Sequence, residues 1–500
     1  MKSASSLMKN TLFLTGSNII LRLCALCFQA YLASNIGAQQ LGIFGIITSV
    51  GVVFATISIS GVRFSVTRLA AEEVSRGNLY PKALMKCAFR YGIVFGILSW
   101  AGMYFSAPFL SRCYIGDTGA EIPLRIMAAA MPAIALSACI EGYFTAKQKV
   151  LRLILTQLTA QGLRMLFAVV MFSLFLKKGI FPADILAGAF FVGETSFAVG
   201  MFILYFAEIR KAKEKKKASS FMPKLVKTAL PLAVSAYMRT GLSSVGQVII
   251  PAGLKKSGME SAGAFSVYGI ITQMAMPVIM FPTALLSAMG DILVPRLTEA
   301  QVKGHKTGIS YIVNRSLRLG MVFSFGVMGV MLFYSGELGE MIYKSAEAGQ
   351  YIKIFAPLIP VIYIDCITDG CLKGLGQQVY SMVFNVLEGI INVTLLFIFL
   401  PKAAMLAYIA VMYLKESFNA VLSLRCLSKV TKVRFEPCVM LCILVCLCGA
   451  WLLGEIMAWH SLIARIITYC VLYVVLLYLL NGVTRDDIKW ITSLFRNNKI

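Results

Sequence analysis

Arg90-Tyr-Gly92-Ile-Val94-Phe95 returns as Arg318-Leu-Gly320-Met-Val322-Phe323, 228 residues further along the chain. At the same offset Val66-Thr-Arg68-Leu69 meets Val294-Pro-Arg296-Leu297, Pro132 meets Pro360, Arg125 meets Lys353, and Glu141-Gly142 meets Asp369-Gly370. Nearer the N-terminus the offset shrinks: Gly42-Ile-Phe44 resembles Gly263-Ala-Phe265, and Arg22 corresponds to Arg239. Apolar matches alone arise by chance, whereas a run of glycine, proline and charged positions at one offset marks an internal repeat.

What repeats is a membrane-embedded unit. Of the 500 residues 58% are hydrophobic and only 14% charged, and the mean hydropathy is +0.79. A soluble domain carries about 25% charged residues, so that class is excluded. A bilayer core takes about 20 mostly apolar residues per helix. The pattern predicts fourteen spans, near 10–34, 41–61, 86–108, 122–146, 153–176, 183–207, 225–250, 262–290, 312–335, 350–372, 379–400, 402–424, 437–457 and 463–482. The first apolar run is read as a retained span, not a signal peptide.

The net charge of +24 raises nucleic-acid binding as a question, and the positions of the charges answer it. With the N-terminus placed inside, 33 of the 47 Lys and Arg fall on cytoplasmic segments, 9 outside and 5 within spans. That bias follows the positive-inside rule; it predicts both termini in the cytoplasm and no nucleic-acid partner. The expected fold is all-α integral membrane, with fourteen transmembrane helices in two parallel six-helix lobes plus two C-terminal helices. The lobes are expected at 1–207 and 225–426. A basic linker joins them at 208–224, the extra helices lie at 437–482, and a tail follows at 483–500. Six spans return the chain to the same side, so the halves share one orientation, as in transporters with an axis along the membrane normal. The lysines of the linker suit anionic lipid headgroups.

Charges within spans are costly, at about 2.5–3.5 kcal/mol each, and so are candidate sites. Arg22 and Arg239 occupy matching positions in the first helix of each half. Two guanidiniums there suit an anionic substrate, especially a phosphate, which arginine grips with forked donors; pairing with backbone carbonyls or snorkelling is the other reading. Glu141, Asp365 and Asp369 could hold a coupling cation or proton, or pair with Lys147 and Lys373. Arg164 and Glu194 offer either a structural pair between adjacent spans or a substrate contact. Lys415 and Glu416, being neighbours, are expected to point apart and need not pair.

The motifs exclude several activities. No G-x-x-x-x-G-K-[ST] loop, H-E-x-x-H pair or nucleophile triad occurs, and histidine occurs only at 305 and 460. Neither enzyme activity, a cofactor nor a metal site is expected. The thirteen cysteines lie mostly in apolar runs and read as small packing residues.

Three stretches carry a family resemblance. Gly61-Val-Arg63-Phe-Ser-Val-Thr-Arg68-Leu-Ala-Ala-Glu72-Glu73-Val-Ser-Arg76-Gly77, Gly142-Tyr-Phe-Thr-Ala-Lys147-Gln148 and Leu293-Val-Pro295-Arg-Leu-Thr-Glu299 resemble segments of the stage V sporulation protein B-like polysaccharide transporters. That branch belongs to the multidrug/oligosaccharidyl-lipid/polysaccharide exporter superfamily. The resemblance implies a fourteen-helix, two-lobed flippase of the bacterial inner membrane that moves lipid-linked oligosaccharides or peptidoglycan precursors by alternating access. It implies that Arg22 and Arg239 serve the substrate pyrophosphate. The lipid II branch carries an Asp-Arg pair in helix eight, where this chain reads Tyr268-Gly-Ile-Ile-Thr-Gln273, so lipid II itself is the less expected cargo. The implied partners are a lipid-linked anionic glycan, membrane lipids, a coupling Na⁺ or H⁺, and envelope glycosyltransferases. Two alternatives stand beside this reading: a cation-coupled multidrug exporter of the same superfamily, and a non-transporting scaffold for envelope synthesis.

Overall fold

The computed structural model describes residues 2–75, 81–147, 149–175, 179, 181–210, 221–433, 437–457, 460–487 and 489–490. Most of the linker's lysine run and the end of the tail lie outside these residues. The described residues are helical, with no strand among them. In chain order the helices are α1 (Lys2–Ile59), α2 (Val62–Ser75), α3 (Pro81–Phe109), α4 (Glu121–Ala128), α5 (Met131–Ala146), α6 (Val150–Phe175), α7 (Pro182–Ile209), α8 (Met222–Lys256) and α9 (Ser261–Gly269). They continue as α10 (Met276–Met280), α11 (Thr283–Val302), α12 (Lys306–Phe333), α13 (Ser335–Tyr343), α14 (Ala346–Phe355), α15 (Ile359–Gly374), α16 (Gln378–Val430), α17 (Pro437–Ile456) and α18 (Leu462–Leu479). π-helical turns follow α3 and α9.

Among the described residues ten helices are long and apolar enough to cross a membrane, or up to eleven when the pair 118–128 and 131–146, bent by 41°, counts as one span. The protein is a multi-pass helical membrane protein. The number differs from the fourteen expected spans for identifiable reasons. α1 and α16 run for 58 and 53 residues, far beyond the length of one crossing. Each turns at a single non-helical residue, Gly37 (φ 77°) and Ala404 (φ 45°), instead of a loop. Two expected spans therefore share one helix in each case. α8 and α11 are not among the ten. Pro132 and Pro360 occupy the first turn of α5 and α15. There the missing N–H costs nothing, and the 41° bend of the first half lies just before Pro132.

The chain packs as two compact units, Ala38–Ser266 and Met1–Gly37 with Val267–Ile500. It passes between them at 37–38 and 266–267, both outside the basic linker. In the first unit α2, α3, α5, α7 and α8 share one core, in which Val66, Tyr91, Ile140, Tyr143, Met201 and Ala229 are buried. In the second unit α12 carries α17 and α18. Phe333 stacks on Trp451 with centroids 4.6 Å apart, and the Tyr473 hydroxyl donates to the Val322 carbonyl at 2.9 Å.

The repeat is visible in backbone and packing. α5 and α15 both have 16 residues, and both ends are displaced by the repeat offset. A Cβ at Gly92 would lie 3.0 Å from Cys139 Sγ, and one at Gly320 would strike Ile367, the repeat mate of Cys139. Gly142 lets α5 approach α2, since a Cβ there would fall 2.5 Å from the Arg63 carbonyl; Gly370 and Gly290 bring α15 and α11 together in the same way. Without water to squeeze out, helices in lipid associate through such close contacts of small residues.

Gly61 and Gly37 test this packing. Both have positive φ, but a Cβ at Gly61 would meet the Ala229 carbonyl, whereas nothing lies within 4 Å at Gly37. Gly37→Ala should cost only the strain of its positive-φ extended conformation (ψ 170°), about 1–3 kcal/mol. Gly61→Ala should cost clearly more, read as a larger drop in thermal unfolding temperature of the detergent-solubilised protein.

Candidate functional site

Arg22 lies in the part of α1 that packs within the second unit. Its Nη1 donates to Thr283 Oγ1 at 2.7 Å and to the Met280 carbonyl at 3.3 Å. The reason is local. The chain breaks at Phe281 and Pro282 between α10 and α11, and a helix end leaves carbonyls without partners. Tyr363 Oη donates to the Ile279 carbonyl at 2.7 Å, and Thr283 Oγ1 donates to that of Met280 at 2.6 Å. Arg22 therefore makes the carbonyl contact that was the alternative to a substrate role. Both of its bonds come from Nη1, and a guanidinium has five donors. Further along the same face of α1, Gln29 Nε2 donates to Gln273 Oε1 at 2.7 Å.

Arg239 is set differently from its repeat mate. It sits at the middle of the 35-residue α8, is exposed, and has no hydrogen bond or ion pair to a described residue.

Glu141, Glu194 and Arg164 come together in the first unit, with Arg63 beside them. Arg63 Nη2 pairs with Glu141 Oε1 at 2.8 Å. Glu194 interacts electrostatically with both Arg164 and Glu141. Phe190, Gly193 and Glu194 follow i, i+3, i+4 spacing, so one face of α7 receives Arg164. Its guanidinium lies 5.2 Å from the Phe190 ring centre, and its alkyl stem occupies the space above Gly193. The expected Arg164–Glu194 relation is thus present as proximity, without a direct ion pair. Lys147, the alternative partner of Glu141, instead joins Lys149 and Arg152 on Glu208. Burial works against the Lys147 ammonium, but Tyr143 and Glu208 outweigh it and hold its pKa above the usual lysine value.

Asp365 and Asp369 belong to a second charged group on α15 and α16. Asp369 Oδ1 accepts from Ser381 Oγ at 2.6 Å, and Asp365 Oδ2 accepts from Asn419 Nδ2 at 2.9 Å. Asp365 Oδ1 is buried with no hydrogen bond to a described residue. Neither carboxylate pairs with Lys373, which was the alternative expected for them. Glu388 and Glu416 act on Asp365 through space. Both bind Lys415, whose Nζ lies 3.1 Å from Glu388 Oε1 and 2.6 Å from Glu416 Oε1. This corrects the expectation that Lys415 and Glu416 point apart: the lysine's flexible four-carbon stem bends back to its neighbour. Among the described residues Lys415 is the one cation in an ion pair with this group of four carboxylates. Among the described residues no set of three or more His, Cys, Asp or Glu side chains could hold a metal ion.

The duplication of Glu141 and Asp369 thus stops at the backbone. The repeat mate of Arg63 is Asp291, so the second half has no arginine there for Asp369. The signal for Arg63 was present in the sequence, one repeat offset from a residue of opposite sign.

A family model described as polysaccharide biosynthesis protein matches residues 7–301, and a MatE model matches 256–398. Stage V sporulation protein B of Bacillus subtilis (strain 168) is 22% identical over 408 residues, covering 80% of this chain and 78% of that protein. Lipid II flippase MurJ of the same organism is 21% identical over 432 residues, covering 78% and 77%. Among solved structures, an inward closed conformation of lipid II flippase MurJ superimposes with a TM-score of 0.69 at 13% identity, covering 94% of this chain and 97% of that one. An inward-facing multidrug resistance MATE family transporter of the same superfamily gives a TM-score of 0.64 at 12% identity, covering 82% and 93%.

Lys415 carries a testable consequence. Removing the cation from a buried, paired group leaves carboxylates uncompensated, at a cost of about 3–5 kcal/mol. Lys415→Met should lower the thermal unfolding temperature, and adding Glu388→Gln should restore part of the loss.

Proposed function

The chain belongs to the polysaccharide biosynthesis protein family of the multidrug/oligosaccharidyl-lipid/polysaccharide exporter superfamily, and on that premise we propose that it is a flippase. Its cargo is a lipid-linked oligosaccharide or peptidoglycan precursor carried on a prenyl pyrophosphate. It moves this cargo across the bacterial inner membrane by alternating access between its six-helix lobes. The observation that carries the reading is Arg239: a guanidinium at mid-helix, exposed and bonded to no described residue. Keeping a charge at that depth costs about 2.5–3.5 kcal/mol, which an anionic ligand would offset. Arg22, with donors left beyond Nη1, is the second candidate for a phosphate contact. Pyrophosphate oxygens suit such forked donors. The Arg164–Glu194 group serves the sugar-bearing part of the cargo. No ATPase motif occurs, so the driving force is the membrane potential or a gradient of Na⁺ or H⁺ acting at Asp365 and Asp369; Glu141 is held by Arg63 and is the weaker candidate.

A second reading, a cation-coupled multidrug exporter, is favoured by the MatE match over 256–398 and by the excess of carboxylates on α15 and α16. The scaffold reading has no observation of its own.

Arg22→Lys, Arg22→Ala and Arg239→Ala test the phosphate role in a reconstituted flipping assay with a prenyl-pyrophosphate oligosaccharide. A lost charge-assisted hydrogen bond is worth about 1.5–3 kcal/mol, so both alanine variants should slow flipping about tenfold or more, with Arg22→Lys between them and the parent. Normal rates for both alanine variants at equal reconstitution would refute the clamp.

Coupling is tested separately. Asp365→Asn and Asp369→Asn should remove the response of transport to an imposed Na⁺ or pH gradient while leaving ungated exchange of cargo in place. An undiminished gradient response in both variants rules these carboxylates out. Efflux of small amphiphilic drugs by the parent, with no lipid-linked glycan moved, would favour the second reading.

A further inference from the structure

The N-terminal end of α12 plays no part in the reading above. There the chain forms a half-open cavity of about 1020 Å³ between the ends of α11 and α16 and the starts of α12 and α17. Among the described residues five cationic side chains line it, Lys306, Arg315, Arg318, Lys429 and Lys432, and no Asp or Glu does. All lie on segments that the charge bias assigns to the cytoplasmic face.

The cavity has built walls. Asn314 Nδ2 and Ser310 Oγ donate to the Lys432 carbonyl at 2.7 and 3.0 Å, tying the segment after α16 to α12. The chain after α18 fixes the two arginines. Arg318 Nη2 donates to the carbonyls of Asn481 and Gly482 at 3.3 and 3.1 Å. Arg315 Nε lies 2.7 Å from Asp487 Oδ1, and its guanidinium packs 5.6 Å from the Tyr311 ring centre. Asp487 is fully buried, and its other oxygen accepts from the amide and hydroxyl of Thr484, both at 2.7 Å. The carboxylate that pairs with Arg315 is therefore spent inside the wall, while Lys306, Lys429 and Lys432 form no ion pair with a described residue.

Like charges held this close repel unless an anion joins them. The first turn of the 28-residue α12 adds the positive end of its dipole. The volume is near the upper end of small-molecule pockets, roughly 300–1,000 Å³, more than inorganic phosphate needs and enough for a phosphate with its attached polar group. α12 is itself apolar enough to span the membrane, so its first turn lies at headgroup depth. We propose that this cavity binds a phosphate-bearing group, with the headgroup of an anionic membrane lipid as its source, as a site independent of Arg22 and Arg239.

The test uses the full-length protein in detergent, titrated with phosphatidylglycerol, phosphatidylcholine or inorganic phosphate and read by native mass spectrometry and thermal shift. The cavity variant is Lys429→Gln with Lys432→Gln. The control is Lys82→Gln with Lys86→Gln, two exposed lysines of the other unit. A charge near anionic lipid is worth about 1 kcal/mol, so the cavity double should bind phosphatidylglycerol at least about tenfold more weakly, with the control unchanged and phosphatidylcholine not retained. Stabilisation by inorganic phosphate, lost in the cavity double, without retained phosphatidylglycerol would support the site and assign it to a soluble phosphate. Equal binding by both doubles, or no binding of any phosphate probe by the parent, would overturn the proposal. Should the double not fold, Lys306→Gln alone is expected to weaken the same binding.

Discussion

A bilayer offers no hydrogen-bond partner to a broken helix, and several polar side chains inside this protein answer to that constraint. At the break between α10 and α11 the carbonyls of Ile279 and Met280 are taken up by Tyr363, Thr283 and Arg22. At the break between α1 and α2, Ser58 Oγ donates to the Met131 carbonyl at 2.6 Å, and Tyr91 and Tyr237 converge on the Ser60 hydroxyl at 3.0 and 2.7 Å. Polar residues in such a chain therefore mark interruptions of the backbone first and ligands second. Arg239 stands out because no break lies beside it to account for its charge.

The same scarcity of partners governs the interior charges. In the unit 38–266, Arg63, Glu141, Glu194 and Arg164 alternate so that each carboxylate has a cation near it. On α15 and α16, Asp365, Asp369, Glu388 and Glu416 outnumber Lys415. Low dielectric strengthens attraction and repulsion alike. The balanced group accordingly holds helices together, whereas in the other only Glu388 and Glu416 form an ion pair with a described cation.

How far the sequence discloses this varies with the kind of force. Hydrophobic length and the Lys and Arg bias made the membrane class legible, and the offset of 228 residues anticipated the matched bounds of α5 and α15 and the paired close contacts at Gly92 and Gly320. The joins at Gly37 and Ala404 were not legible, because one non-helical residue leaves no polar or proline-rich loop in the composition. Partner choice was legible least. Lys147 and Lys373 were the nearest opposite charges in sequence, but Arg63, Ser381 and Asn419 reach the carboxylates from other helices. Sequence distance predicts contact along one helix and says little about contact across a bundle.

What the repeat keeps and what it discards follow different rules. Small residues at close helix contacts recur because a side chain there would push two backbones apart, and backbone spacing is common to both halves. Charges at equivalent positions have no such obligation. Arg63 and Asp291 differ in sign, so Glu141 sits in an ion pair while Asp369 rests on a serine hydroxyl. A cation or proton that relieved the excess charge on α15 and α16 would stabilise that unit and leave the balance around Glu141 untouched. Two halves that share a fold can thus respond unequally to one ion, since a ligand shifts only those states that it binds differently.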